Sequence, residues 1–224
     1  MVDYAAAIKK PFNDIQTLGI GIILGAIPVI NFLVTGYGIG VARKVSKKDN
    51  KLPKWDPGQI IQYIKDFVIS LVISLVYLIP AGIFFTIGGA LAIGSIITAI
   101  FSGSAETAIG SLVGTIATGG IFLIIGAILA IIGGLMAIMG VVSYAKQGSI
   151  GAAFKFGAIL KKVLTGNFIA ALVICIVYSA VLFVVAILLS IVPIIGSLIG
   201  FGLMGYATTV TGYTLFAEVL NETP

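Results

Sequence analysis

Five stretches of this 224-residue chain are long, apolar and, away from their edges, free of Asp, Glu, Lys and Arg. They run from Ile15 to Ala42, Phe67 to about Ile100, Gly119 to Tyr144, Phe168 to Val192, and Ile194 to about Phe216. A helix needs about 20 residues, at about 1.5 Å each, to cross the hydrocarbon of a bilayer. The third, fourth and fifth stretches each fit one crossing. The second is too long for one upright helix. Gly88, Gly89 and Gly94 crowd its far end, so its span is expected to stop near Gly88 and to leave 89–119 as an external or re-entrant apolar loop. Composition agrees: 59% of residues are apolar and 9% charged, against about 45–50% and about 25% in soluble domains. A soluble globule built this way lacks the polar residues to cover itself. The expectation is an all-α integral membrane protein, one polytopic domain over residues 1–224.

Charge sets the expected orientation. The loop 43–65 holds Arg43, Lys44, Lys47, Lys48, Lys51, Lys54 and Lys65; the loop 146–165 holds Lys146, Lys155, Lys161 and Lys162. Lys9 and Lys10 complete the thirteen basic residues. Segment 102–120 has none and carries Glu106. By the positive-inside rule both basic loops face the cytoplasm and the Glu106 segment lies outside. The first residues, MVDYAAAIKKPFND, are too polar for the apolar core of a signal peptide. The run that follows is therefore expected to stay as a span or half-span.

An internal repeat bears on that first run. IPVINFLVTGYGIGVA from Ile27 resembles VPIIGSLIGFGLMGYA from Val192, aligning Pro28 with Pro193, Leu33 with Leu198, Gly40 with Gly205 and Ala42 with Ala207. Phe168 to Phe216 is too long for one span, so Pro193 marks a turn. By analogy Pro28 and Asn31 mark another, making the first run a hairpin of two short helices, Lys9–Ile27 and Val29–Lys48, with end lysines snorkelling to the interface. That gives about six membrane segments with both termini inside. The alternative is five, with one kinked span from Thr17 to Val41 and the N-terminus outside.

Several motifs have a structural reading. Gly21–Gly25, Gly36–Gly40, Gly110–Gly114 and Gly196–Gly200 are GxxxG pairs, which let helices approach closely in lipid, within the chain or between copies. GSIGAAFKFGAILKK from Gly148 reads as a short interfacial helix before the last two spans, capped by Ser149 and ended by Gly166 and Asn167. LPKWDP reads as a proline-bounded turn with Trp55 at headgroup level. Lysines beside anionic lipid contribute about 1 kcal/mol each. The expected headgroup contacts are Arg43, Lys44, Lys47, Lys48, Lys51, Lys54, Trp55, Lys155, Lys161 and Lys162.

Chemistry is sparse. There is no histidine and one cysteine, Cys175, inside an apolar run. Nucleophile elbow, phosphate loop, HExxH and CxxC motifs are absent. No catalytic residue, metal ligand or cofactor site is expected, and nucleic acid is not an expected partner because the basic residues lie beside membrane segments. Lys65, Asp66 and Glu218 sit at span edges, where water can reach them. Ser70, Ser74, Tyr77, Thr86, Ser143, Tyr178 and Ser179 are hydroxyls expected to bond their own or neighbouring helices. Tyr206, Thr208, Thr209, Thr211, Tyr213 and Thr214 form a denser set that could line a polar path.

The segments GYGIGVARKV, LPKWDP, VISLVYLIP, SYAKQGSIGAAFKFGAILKKVLTGNF and IVPIIGSLIGFGLMGYA follow one another in this order. Together they resemble a family of prokaryotic, largely archaeal membrane proteins, domain-of-unknown-function family 4013. The resemblance covers nearly the whole chain; the GAAF segment and the LPxWD loop are its more specific parts. It implies a polytopic membrane protein and supplies no catalytic residue. The functional expectation is a non-catalytic accessory, assembly or membrane-organising subunit of the cytoplasmic membrane. Its partners would be anionic lipids and a membrane-protein complex or second copy. The alternative is a permease or facilitator for an uncharged or amphipathic solute.

Overall fold

The computed structural model describes residues 2–222, and every regular element among them is helical. The helices are α1 (Tyr4–Lys9), α2 (Ile15–Ala26), α3 (Phe32–Ser46), α4 (Ile60–Phe101), α5 (Ala105–Gln147), α6 (Phe156–Val163), α7 (Gly166–Leu189) and α8 (Ile195–Glu222). The chain forms two compact units: residues up to Ile73 with those from Ile138 onward, and Ser74–Ala137.

In the first unit, Asp3 caps α1 by accepting from Ala6 N at 2.9 Å, and Asp14 caps α2 by accepting from Thr17 N at 2.9 Å. The turns at Pro28 and Pro193 both form, and they repeat a backbone bond. Asn31 N donates to Ile27 O at 3.0 Å, and its aligned counterpart Gly196 N donates to Val192 O at 3.0 Å. The expected helix Lys9–Ile27 is divided by a 3-10 turn over Lys10–Phe12. Lys10 does not snorkel: it is buried, and that burial pulls its ammonium below the ordinary value, with Glu218 partly countering.

Helix α8 is the axis of this unit and packs against α7, α2, α3 and α1. The glycine pairs explain how. A Cβ at Gly202 would run into the carbonyl of Ile22, and one at Gly25 would lie 2.8 Å from Gly202 O. Gly21 lies under the Tyr206 ring, and Gly200 lies against the backbone of Ala186 on α7. Two of the four GxxxG pairs therefore seat α8 within the chain. Gly36 does the same for α3 against the backbone of Tyr63 on α4, whereas Gly40, Gly110 and Gly114 have open space around the missing Cβ.

Among the described residues, three helical segments are long and apolar enough to cross a membrane: Pro57–Phe101, Ala105–Gln147 and Gly166–Leu189. The architecture is that of an all-helical membrane protein. Helices α2 and α3 have 12 and 15 residues, about 18 and 22 Å, against about 30 Å of hydrocarbon. Helix α8 has the length, at 28 residues, but glycines and threonines dilute it, as suits a helix flanked by protein on several sides.

The second unit is a helical hairpin, and here the expected loop is corrected. Gly88, Gly89 and Gly94 do not end α4, which continues to Phe101; α5 begins at Ala105 after three intervening residues. Glycine is tolerated in apolar helices because a neighbouring helix can close on it. Gly88 packs against Leu123 and Gly119 O, Gly126 against Phe85, and Gly133 against the carbonyl of Tyr77. Residues 89–119 are thus the helical tip of the hairpin, closed by Ser104, whose hydroxyl accepts from Thr107 N at 3.3 Å.

Candidate functional site

The site is built by the loop 47–56, which Pro53 helps keep from becoming helix and which leads into a 3-10 turn over Pro57–Gln59. Trp55 stacks on Tyr37 with ring centroids 4.1 Å apart and 15° between planes, and meets Tyr63 edge-on at 5.6 Å. Its indole Nε1–H donates to Thr17 O at 3.1 Å, while Tyr37 OH donates to Pro53 O at 2.6 Å. Half-buried Trp55 thus clamps the loop to the helices. An indole needs an apolar face and an acceptor, and Tyr37 and Thr17 supply both inside the fold. The loop is therefore docked on α2, α3 and α4. Asp56 finishes it, its carboxylate accepting from Gly58 N at 2.9 Å at the start of the turn into α4.

Docking sorts the cations of the first loop. Arg43, Lys44, Lys47 and Lys54 line one cavity of about 340 Å³ together with Gly40, Gln59 and Gln62. Arg43 Nη2 also donates to both oxygens of Asp66, at 3.0 and 3.1 Å. Asp66 Oδ1 accepts further from Gln62 Nε2 at 2.9 Å and from Tyr144 OH at 2.7 Å. Asp66 is completely buried, which corrects the expectation that it meets water at a span edge. The convergence of α3, α4 and α5 encloses it, and four donated hydrogen bonds replace its hydration. Lys44 pairs at 3.6 Å with Asp49, an exposed pair of the kind that contributes little. The backbone N–H of Lys51 holds the Asp49 carboxyl below the usual carboxylate range. Lys48 lines a different cavity of about 350 Å³ beside Asp3, Glu218 and Glu222, and Lys51 is exposed and lines neither.

The second basic loop is two pieces rather than one helix. A 3-10 turn spans Ile150–Phe154, the chain bends at Lys155, and α6 follows; Ser149 makes no capping bond. Thr165 caps α7, its hydroxyl accepting from Phe168 N at 3.3 Å. Ala152, Ala153, Ile159 and Val163 are buried. Phe156, Leu160 and Leu164, spaced four apart, form an exposed apolar stripe, with Lys155 and Lys161 exposed nearby.

The hydroxyl set of α8 is split. Thr208, Thr209 and Tyr213 line an otherwise apolar cavity of about 250 Å³ with Ile138, Cys175, Gly212 and Phe216. Tyr206, Thr211 and Thr214 are buried elsewhere; Tyr206 lies 6.1 Å from the Tyr37 ring, and Thr211 donates to Ala7 O at 3.4 Å. Ser70, Thr86 and Ser179 donate to carbonyls of their own helices at 2.7–2.8 Å, as expected of hydroxyls in apolar helices.

Both basic loops open at the same end of the first unit. Asn221 Nδ2 donates to Val45 O at 3.1 Å, Lys146 Nζ to Leu220 O at 3.3 Å, and Asn167 Nδ2 to Glu222 Oε2 at 3.1 Å. Asp3 N joins them by donating to Glu218 Oε2 at 2.9 Å. Tyr37, Gln62 and Tyr144, which organise this end with Asp66, were not among the residues the sequence pointed to, and Asp66 was expected only at a water-accessible span edge. A signal exists: Gly40, Arg43, Lys44 and Lys47, running from α3 to its C-cap, and Gln59, Gln62, Tyr63 and Asp66, running from the 3-10 turn into α4, each follow the i, i+3, i+4, i+7 spacing of one helical face.

The chain belongs to the family described as protein of unknown function (DUF4013), which matches residues 20–191. The match takes in the docked loop, both basic loops and α3 to α7. It ends at Ile191, so the last segment of the sequence resemblance, IVPIIGSLIGFGLMGYA, lies almost wholly beyond it. No curated protein and no solved structure matches the chain.

Proposed function

We propose that this family member is a non-catalytic polytopic protein of the cytoplasmic membrane that holds anionic lipid at one basic end and serves as an accessory, assembly or organising subunit. The observation that carries the reading is the clamp of Trp55 on Tyr37. It presents the first loop's lysines from a fixed surface rather than a loose tail. The exposed stripe Phe156, Leu160 and Leu164 beside Lys155 and Lys161 is the second support, since such a surface lies stably at a headgroup boundary. All thirteen basic residues belong to the first unit. With that end cytoplasmic, the turns at Pro28 and Pro193 make six membrane segments, two of them short, and leave both termini inside. Gly110 and Gly114, where no atom of the described residues lies within 4 Å of where a Cβ would stand, are where a second copy or another membrane protein would pack.

The test neutralises Lys47, Lys48, Lys51 and Lys54 together and measures copurifying lipid by native mass spectrometry and orientation by labelling. Loss of anionic lipid or mixed orientation is expected. Unchanged lipid and orientation would refute the reading.

The cavity at Thr208, Thr209 and Tyr213 favours a second reading, a facilitator for an uncharged or amphipathic solute. It ranks below the first because Tyr206, Thr211 and Thr214 are buried away from that cavity, leaving no hydroxyl track along α8. Solute uptake into vesicles that falls in Thr208→Val would promote it; uptake equal to that of protein-free vesicles would remove it.

A further inference from the structure

The geometry points to a specific phospholipid site: the cavity between α3, the start of α4 and the docked loop takes a phosphodiester headgroup carrying hydroxyls, with the beginning of its apolar chains beside it. The inference rests on the lipid-holding reading above and goes further, from a basic surface to one built pocket.

Three features of the cavity are those of a binding site rather than a charged strip. First, its walls are two helical faces. Arg43 and Lys44 stand on α3 and Lys47 caps its end, opposite Gln62 on α4 and Gln59 in the 3-10 turn that precedes it, with Lys54 supplied by the loop that Trp55 clamps. Second, its central cation is oriented in advance. Asp66 occupies Nη2 of Arg43, and the guanidinium has further N–H donors on Nη1 and Nε. A planar fork held in this way suits phosphate oxygens better than a free lysine does. Third, the floor is open because residue 40 is glycine, with nothing within 4 Å of where a Cβ would stand.

The polar lining says more about the ligand. Gln62 Nε2 donates to Asp66 and Gln59 Nε2 to Asp56, at 2.9 and 3.3 Å. Each side-chain amide therefore has its oxygen left as an acceptor, and the Asp56 carboxylate is a third acceptor on the lining. Acceptors beside a cluster of cations match a group that has hydroxyls as well as a phosphate. A volume of about 340 Å³ is at the lower end of the range for small-molecule pockets, about 300–1,000 Å³. That is large for a bare anion and fitting for a headgroup.

A neighbouring cavity supplies the reason for choosing lipid over a soluble phosphate ester. About 170 Å³ in volume, it is lined by Ile20, Leu24, Leu33, Trp55 and Ile60, and it shares Asp56 and Tyr63 with the basic cavity. Charged and apolar compartments meeting across two residues fit an amphipathic ligand.

The experiment uses the full chain in mild detergent, titrated with phosphatidylglycerol, with phosphatidylcholine of the same chains, and with glycerol 3-phosphate, and read by native mass spectrometry. The variant Lys47→Gln/Lys54→Gln removes two exposed cavity lysines. Lys51→Gln/Lys65→Gln removes the same charge from exposed positions outside it. One phosphatidylglycerol is expected per chain, bound more tightly than phosphatidylcholine. The cavity pair should weaken it at least about tenfold and the control pair less than about threefold. Equal losses in both pairs would overturn the pocket and leave the basic-surface reading standing. No loss in either would overturn both. Glycerol 3-phosphate binding as tightly as the lipid would overturn the lipid as the source. Unchanged melting temperatures show that both variants are folded.

Discussion

Asp66 offers the sharpest quantitative test of the packing at the basic end. Its side chain is 1% exposed, against 29% for its partner Arg43. Removing one member of a buried ion pair typically costs about 3–5 kcal/mol, because the other is left unpaired. The unequal exposure makes the two removals unequal. In Asp66→Ala the guanidinium can turn to water, so the loss should fall near about 3 kcal/mol. In Arg43→Ala the carboxylate stays sealed, with only Gln62 and Tyr144 still donating, and the loss should approach about 5 kcal/mol. Replacing both by apolar groups, Arg43→Met/Asp66→Leu, removes the stranded charge and should cost less than either single change. Reversible unfolding in mixed micelles gives the free energies, and a double-mutant cycle gives the coupling. At about 2–4 °C per kcal/mol for a chain of this size, Arg43→Ala should melt roughly 10–20 °C lower. Single substitutions costing under about 1 kcal/mol, or a double replacement equal to their sum, would refute the burial argument.

Further outcomes follow from other residues. Trp55→Ala removes the stack on Tyr37 and the bond to Thr17; it should destabilise by about 2–3 kcal/mol and open residues 47–58 to limited proteolysis, while Trp55→Phe keeps the stack and should lose about 1 kcal/mol. Gly202→Ala places a Cβ against the Ile22 carbonyl and should cost about 1–3 kcal/mol, whereas Gly205→Ala on the same helix meets nothing within 4 Å and should melt with the parent. Ala105→Cys in a Cys175→Ala background should react with an impermeant thiol reagent on intact cells; labelling only after lysis would reverse the proposed orientation. Lys10 binds its proton less tightly folded than unfolded, so the charged form opposes folding. Stability should rise as pH climbs through its lowered value toward 10.5, and Lys10→Met should flatten that rise in melting curves taken from about pH 8 to about pH 11.

The sequence was most legible where a local signal decides the structure. Pro28 and Pro193 lie in turns between helices, and both turns form where the repeat placed them, whereas Pro80 stays within α4. The Gly21–Gly25 and Gly196–Gly200 spacings became close helix contacts. Where the outcome depended on what another helix brings, local reading failed. Gly88 and Gly89 look like helix ends until Leu123 and Gly119 close on that stretch. Asp66, beside Lys65, looks solvated; only the arrival of Arg43 and Tyr144, 23 and 78 positions away, reveals it as enclosed. Trp55 carries the same lesson, because an indole's stacking partner is not legible locally, and only the fold brings Tyr37 against it.

The central place of α8 has a bearing on biogenesis. It is synthesised after α1, α2, α3 and α7, the elements it gathers. Until it arrives, α2 lacks the helix that its glycines fit, and α3 has only the start of α4 and the docked loop to lie against; neither is long enough to be held by lipid alone. Maturation of the first unit is thus timed by translation itself. A ribosome stalled before Ile195 would leave a chain whose early helices are made but unhoused, the state that membrane proteases and insertion chaperones are equipped to detect.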